Sequence, residues 1–231
     1  MKLFSIVLLQ LILFNCYSQT ITDKNFADRN GFQEASYNGK NGPNGNDGAN
    51  RFAIVLFHMA KRGGNGKPGK QGPALQVRVS AFPSGDSAIL LVTVTKDGEK
   101  KTDKYYVNPK HGKLTISANG GDGGNGGDGQ DGAVPTEKRP YGNSGGNGGN
   151  GADGGNGGTI RVIFDNTAVK YADCNCIFYN NFGGKGGEHG KGGKGTGTTS
   201  ADGEPGTDGG NGISGPRVLI EGPDKKVIQI R

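Results

Sequence analysis

Glycine stands at every third position through six separate tracts of this chain, at 39–48, 63–72, 120–132, 142–157, 184–193 and 203–215. Helices bury side chains with a period near 3.6 and strands with a period of 2, so a period of three fits neither. It fits the polyproline II form, which has three residues per turn, rises about 3.1 Å per residue and makes no hydrogen bond within itself. A flexible linker would gain nothing from holding such a register. Backbone N–H and C=O groups left unpaired by the helix must find water or a neighbouring helix. Glycine on one edge lets two helices approach closely enough to bond, offsetting the entropy lost when glycine is ordered.

Spacing along the chain pairs the tracts as hairpins. Short polar connections at 133–141 and 195–202 join the third tract to the fourth and the fifth to the sixth. The first pair is joined through 49–62, whose centre at 52–59 is apolar and is expected to pack on the β region or to cap the tracts. Tracts written G-G-X, such as GGDGGNGGDG and GGNGGNGADGGNGG, present two bare edges and are expected inside; those written G-X-Y, such as GKNGPNGND and GKPGKQG, present one. The third tract carries Asp122, Asp128 and Asp131, whereas the second and fifth carry Lys67, Lys70, Lys185, Lys191 and Lys194, a pattern expected to select neighbours by charge more than to stabilise. Collagen is a poorer match, because the tracts are short, proline is scarce and the chain returns on itself.

Between the tracts the pattern changes to alternation. Leu75, Val77 and Val79, then Leu114 and Ile116, Ile160, Val162 and Phe164, and Cys174, Cys176 and Phe178 read as half-buried strands. Continuous apolar runs at 89–94 and 218–220 read as strands buried on both faces, and 227–230 as a closing strand. Asp97-Gly98 and His111-Gly112 are turn signals, and no stretch carries a helical period with caps. The expected fold is an all-β sandwich-like domain of seven to nine strands joined to a six-tract polyglycine-II helix bundle, with essentially no α-helix in the mature chain. LTISANGGDGG and GGNGGTIRVIF carry a strand straight into a tract and a tract straight into a strand, so 39–231 reads as one composite domain after an N-terminal segment at 19–38. With 47 glycines and only 31% apolar residues, a conventional core cannot run the whole length.

Residues 1–18 have the form of a secretory signal: Lys2, an apolar run, and small residues before Gln19. The run is too short to span a membrane comfortably, and no second run approaches the roughly 20 residues a span requires. Cys16 carries a competing reading as a lipidation site, although Asn15 precedes it where such signals take a small residue. The Ser18-Gln19 ending resembles signal peptides of the Bacteroidetes. The chain is therefore expected to be exported, to the extracellular space, the cell surface or the outer membrane, without a transmembrane span.

The search for chemistry is mostly negative. Cys174 and Cys176 are open to two readings, small side chains on one strand face or a local disulfide, and they lack metal-ligand company. His58, His111 and His189 fall in an apolar run, a turn and a glycine tract. No tract opens a helix after a strand as a phosphate loop does. GGNGGDGQD is similar to a calcium-binding nonapeptide, but Gln130 stands where the apolar residue belongs. The net charge of +6 is dispersed among acidic residues, with local positive texture at Arg161 and 96–104, and reads as solvated surface and not as a nucleic-acid footprint. No catalytic constellation, cofactor or metal is expected.

The register resembles the polyglycine-II bundles of glycine-rich springtail antifreeze proteins and of phage tail-fibre tip adhesins, and its wording is similar to glycine-rich repeats of mycobacterial surface proteins. The likeness covers about a third of the chain and transfers a backbone solution more than an activity. An ice-binding face would be built of Ala and Thr, whereas the variable positions here are Asn, Asp and Lys. An adhesin would read its receptor through the tips, which implies Lys138, Arg139 and Tyr141 as contact residues. The leading expectation is a non-enzymatic surface or outer-membrane structural protein that docks on a protein partner; the second is a module binding glycan, ice or a host surface.

Overall fold

The computed structural model describes residues 29–48, 60–84, 87–137, 142–198, 200–224 and 226–230. The expected signal with Cys16, the apolar segment at 52–59 and the tip residues Lys138, Arg139 and Tyr141 lie outside the described residues. Nine strands are described: β1 (Phe32–Ser36), β2 (Leu75–Ser84), β3 (Ser87–Lys96), β4 (Thr102–Val107), β5 (Lys113–Ser117), β6 (Ile160–Phe164), β7 (Ile177–Asn180), β8 (Leu219–Glu221) and β9 (Val227–Ile230). The helical content among the described residues is a single 3-10 turn, Val169–Tyr171. The molecule is β-rich.

The strands form a three-stranded sheet, β1-β5-β7, and a six-stranded sheet, β4-β3-β2-β6-β8-β9. Alternation in the sequence decides which side of each strand faces in: Leu75, Val77 and Val79 on β2, Leu114 and Ile116 on β5, and Ile160, Val162 and Phe164 on β6 are all buried. Residues from both sheets share one hydrophobic core, with Ala35 and Ile177 from the small sheet and Leu90, Val92 and Ile220 from the large one. Asp97-Gly98 turns β3 into β4, with Gly98 at φ +81°, a conformation that glycine adopts without steric penalty.

Two readings need correction. The alternation Cys174, Cys176, Phe178 is not one strand: β7 begins at Ile177, which is buried, and Phe178 faces out. Asn175 at φ 50° breaks the extended backbone there, so the in-out phase restarts after Cys176. Arg161 is not free positive surface. Its Nε and Nη2 donate to the buried Glu221 carboxylate, the shortest contact being 2.7 Å, and this ion pair raises the Arg161 pKa through the hydrogen bonds first and the opposite charge second.

The glycine tracts are interlocked by backbone hydrogen bonds that recur every third residue. Within one layer, Gly39, Gly42, Gly45 and Gly48 donate to Asn119, Asp122, Asn125 and Asp128 of the third tract, and Gly120 through Gly132 donate likewise to the fifth. Within the other, Gly63 to Gly72 donate to the fourth tract and Gly145 to Gly157 to the sixth. Partners advance together in these ladders, so tracts of one layer run the same way. Between layers they recede, as in Gly64 to Asn46, Lys67 to Pro43 and Lys70 to Lys40, so the two layers are antiparallel. The third and fourth tracts take the central places of the layers.

Sheets and layers are one construction. β1, β5 and β7 pair in parallel and lead into the first, third and fifth tracts. The second, fourth and sixth tracts lead into β2, β6 and β8, which also pair in parallel. The chain thus makes three successive coils, each leaving along one layer and returning along the other. Each coil buries its edges only against the next, as in repeat proteins.

Candidate functional site

Asparagine or aspartate precedes the in-layer glycine at most steps of the first, third and fourth tracts, and the structure gives these side chains a specific task. Asn41 and Asn44 Oδ1 accept the backbone N–H of Asp122 and Asn125, at 2.9 and 3.0 Å. Asp122, Asn125, Asp128 and Asp131 accept from Lys185, Glu188, Lys191 and Lys194 in turn, at 2.7 to 3.0 Å. Asn147, Asn150, Asp153 and Asn156 do the same for the sixth tract. Each side chain thus serves an N–H that the backbone ladder leaves without a carbonyl partner, at a site where an unmade hydrogen bond costs more than a made one gains.

The aspartate-bearing third tract does lie against the lysine-bearing second and fifth, but main-chain bonds make the contact. No ion pair joins a tract lysine to a tract aspartate among the described residues; the aspartates are occupied as acceptors for main-chain N–H groups. Removing one acceptor should cost about 0.5–1.5 kcal/mol. Asn125→Ala is therefore expected to destabilise by that amount in a denaturant titration and to speed exchange of the Glu188 amide. Asn125→Asp should be nearly neutral, because Asp122 and Asp128 already perform the same role on either side.

The last coil departs from the rule. In the fifth tract Phe182, Lys185, Glu188, Lys191 and Lys194 occupy the places that Asn and Asp hold in the third. Pro205, Asp208 and Asn211 of the sixth tract fill the middle places that are glycine in the fourth. Asp202, Asp208 and Asn211 turn back to accept the N–H groups of Gly195, His189 and Gly186. Among the described residues no further tract packs on this side, so side chains return where glycine is no longer required. Lysine and proline on an exposed edge also discourage pairing with another chain.

His189 Nδ1 lies 2.6 Å from Asp208 Oδ1, and this hydrogen bond, ahead of the one from the His189 backbone, holds the Asp208 carboxyl below its ordinary pKa of 3.8. A lowered folded-state pKa means a contribution present above the unfolded carboxylate range and lost as pH falls through the folded value. An NMR titration of the Asp208 carboxyl carbon should give a midpoint under 3.8, and His189→Ala should move it upward.

At the edge of the β part, the Tyr37 hydroxyl meets Asp103 and Tyr105, both at 3.0 Å, clamping the end of β1 to β4. Burial first, then the Tyr105 and Asp103 contacts, push its pKa far above the usual phenol range. Cys174 and Cys176 are joined by a disulfide. His111 stands in the turn before β5 and His189 on the fifth tract, in different elements; His58 lies outside the described residues. Among the described residues no group of three or more His, Cys, Asp or Glu could hold a metal ion, and no helix is long and apolar enough to cross a membrane. No protein-family model, curated protein or solved structure matches this chain.

Proposed function

We propose that this protein is a non-enzymatic, exported structural module of the cell surface or outer membrane, in which a polyglycine-II bundle continuous with a β-sandwich forms one rigid body that docks on a protein partner. The observation that carries the reading is the interlocked ladder: backbone and Asn/Asp side chains bond each tract to its neighbours at every third residue, over four or five successive steps in each layer. At about 3.1 Å per residue, a tract of 10 to 16 residues extends roughly 30–50 Å. Such a body owes its stiffness to backbone bonding and presents polar side chains outward, which suits a spacer or docking element more than a reaction vessel.

A second reading rests on one further observation. The odd tracts leave the small sheet and the even tracts return to the large one, so the described residues that flank the three connections fall at the end remote from the sheets. Two of them are tied together there: the Thr196 hydroxyl donates to the Ala133 carbonyl, and the Thr196 N–H donates to the Asn143 carbonyl at 3.0 Å. A cluster of loops on a rigid stalk is the arrangement of a tip that reads a glycan or a host surface, and Lys138, Arg139 and Tyr141 belong to one of these connections.

Fractionation with in-cell crosslinking separates the two. The docking module is expected in the envelope fraction, crosslinked to one protein through its tract faces. Recovery in the cytoplasm overturns both readings. Recovery outside the cell with no protein partner, together with glycan-array binding abolished by Lys138, Arg139 and Tyr141 substitutions, overturns the first in favour of the second.

A further inference from the structure

Beside the glycine tracts the fold carries a sulfur site that the docking role does not use. A bridge between Cys174 and Cys176 closes a loop with one intervening residue. The stabilisation a disulfide supplies by restricting the unfolded chain shrinks with loop length, so this bridge is among the least effective as a staple. It also holds Asn175 at φ 50°, in the left-handed region. Structural economy gives little reason for it, and its surroundings supply a chemical one.

The two sulfurs sit in opposite environments. Cys176 is only 2% exposed, belongs to the core, and is fixed by its carbonyl, which accepts the Leu114 N–H at 2.8 Å. Cys174 is half-buried and lines an open cavity of about 380 Å³ with Pro109, Lys110, Lys170, Tyr171 and Asp173. The wall is held by the turn after β6. Asp165 accepts the N–H groups of Thr167 and Ala168 and the Thr167 hydroxyl, and the 3-10 turn that follows presents Lys170 and Tyr171 and receives the Cys174 N–H on the Tyr171 carbonyl at 3.1 Å. Cys174 thus lines a cavity whose wall also carries Lys110, Lys170 and Asp173, whereas Cys176 is enclosed in the core.

We propose that Cys174–Cys176 is an exchangeable disulfide that oxidises a protein dithiol, with Cys174 as the sulfur attacked. A thiolate of the dithiol enters the cavity and bonds to Cys174 Sγ. The Cys174–Cys176 bond breaks, its electron pair stays on Cys176 Sγ, and that sulfur takes a proton. The second thiolate of the substrate then attacks the substrate sulfur of the mixed disulfide, forming the substrate disulfide and releasing Cys174 as a thiolate. Two electrons pass from the dithiol to the chain. Lys110 and Lys170 stabilise the Cys174 thiolate in the product, which favours giving the disulfide away. Cys176, held on β7's entry to the sheet, stays in place to re-form the bridge.

The test uses the full chain and a peptide with two cysteines. Incubated with the oxidised protein, the reduced peptide is expected to gain one disulfide per chain while Cys174 and Cys176 become open to alkylation, read by mass spectrometry. Cys176→Ser, whose Cys174 is a free thiol, should form a mixed disulfide when given the peptide in its oxidised form, the new Cys174–peptide bond replacing the peptide's own disulfide and freeing its second thiol, and its Cys174 should be alkylated at neutral pH ~10-fold faster than a cysteine in an unstructured peptide. Adding Lys110→Ala and Lys170→Ala should remove that excess. Hydrogen exchange of the tract glycine amides reports whether each variant remains folded. A wild-type bridge that stays oxidised in the folded chain at every ratio of reduced to oxidised glutathione overturns the proposal without any variant. So does a folded Cys176→Ser chain whose thiol reacts no faster than the peptide.

Discussion

Gly149→Ala is expected to be severely damaging, lowering stability by about 3 kcal/mol or more. Gly149 lies in the central tract of its layer, donates its N–H to the Gly127 carbonyl at 2.8 Å and accepts the Gly190 N–H on its own carbonyl at 2.8 Å. A Cβ there would stand 1.9 Å from the Gly64 carbonyl oxygen and 2.5 Å from its carbon, both main-chain atoms that are themselves held in the ladder. No side chain can rotate away, so relief requires two tracts to separate and several hydrogen bonds to open together. For a chain of this size the melting temperature should fall by roughly 6–12 °C. Gly210→Ala is the matched control. Its Cβ would meet nothing closer than Asp153 Oδ1 at 3.4 Å, and its N–H bond to that oxygen is kept. The change should be neutral, or stabilising by about 0.4–1 kcal/mol through the less flexible unfolded chain. Equal effects of the two substitutions in a denaturant titration would show that close backbone approach does not hold the tracts.

The second large effect is expected from the β part. Phe164, at the end of β6, is 1% exposed and is the largest fully buried side chain among the described residues. Phe164→Ala should cost about 3–5 kcal/mol, the range for emptying an aromatic site in a core that cannot collapse around it. β6 continues directly from the fourth tract and pairs with β2 and β8, which continue from the second and sixth. Loosening β6 should therefore raise amide exchange in the tract glycines as much as in the sheets, with one unfolding transition. Two transitions, with only the sheet transition shifted, would mean that tracts and sheets are separate cooperative units.

Much of the β part was legible because alternation is a local property. Leu75, Val77 and Val79 and Ile160, Val162 and Phe164 announce their inward face with no knowledge of what they pack against, and all are buried. β1 and β4 were missed. Phe32 is 68% exposed and Thr102–Val107 mixes Lys104 and Asp103 with tyrosines, so neither carries the apolar signal; pairing with β5 and β3 makes them strands. The phase of β7 was misread because the disulfide-closed turn at Asn175 interrupts it, and a turn of one residue leaves no compositional trace. At the candidate site, Asp122, Asp128 and Asp131 were visible as charges but not as acceptors. Their partners lie 63 residues away, and only the register of two tracts shows which N–H each one meets.

By itself the sequence determined the period of the glycine tracts, their pairing into consecutive hairpins, and the inward faces of the principal strands, because each follows from spacing between near neighbours in the chain. Only the tertiary structure decided that the tracts alternate between two layers, that those layers run on into two sheets as three coils, and that asparagine and aspartate complete the ladder. Glycine carries no side chain to name its neighbour. Which tract lies beside which is settled by backbone groups that every residue possesses, and so by the geometry of the whole chain.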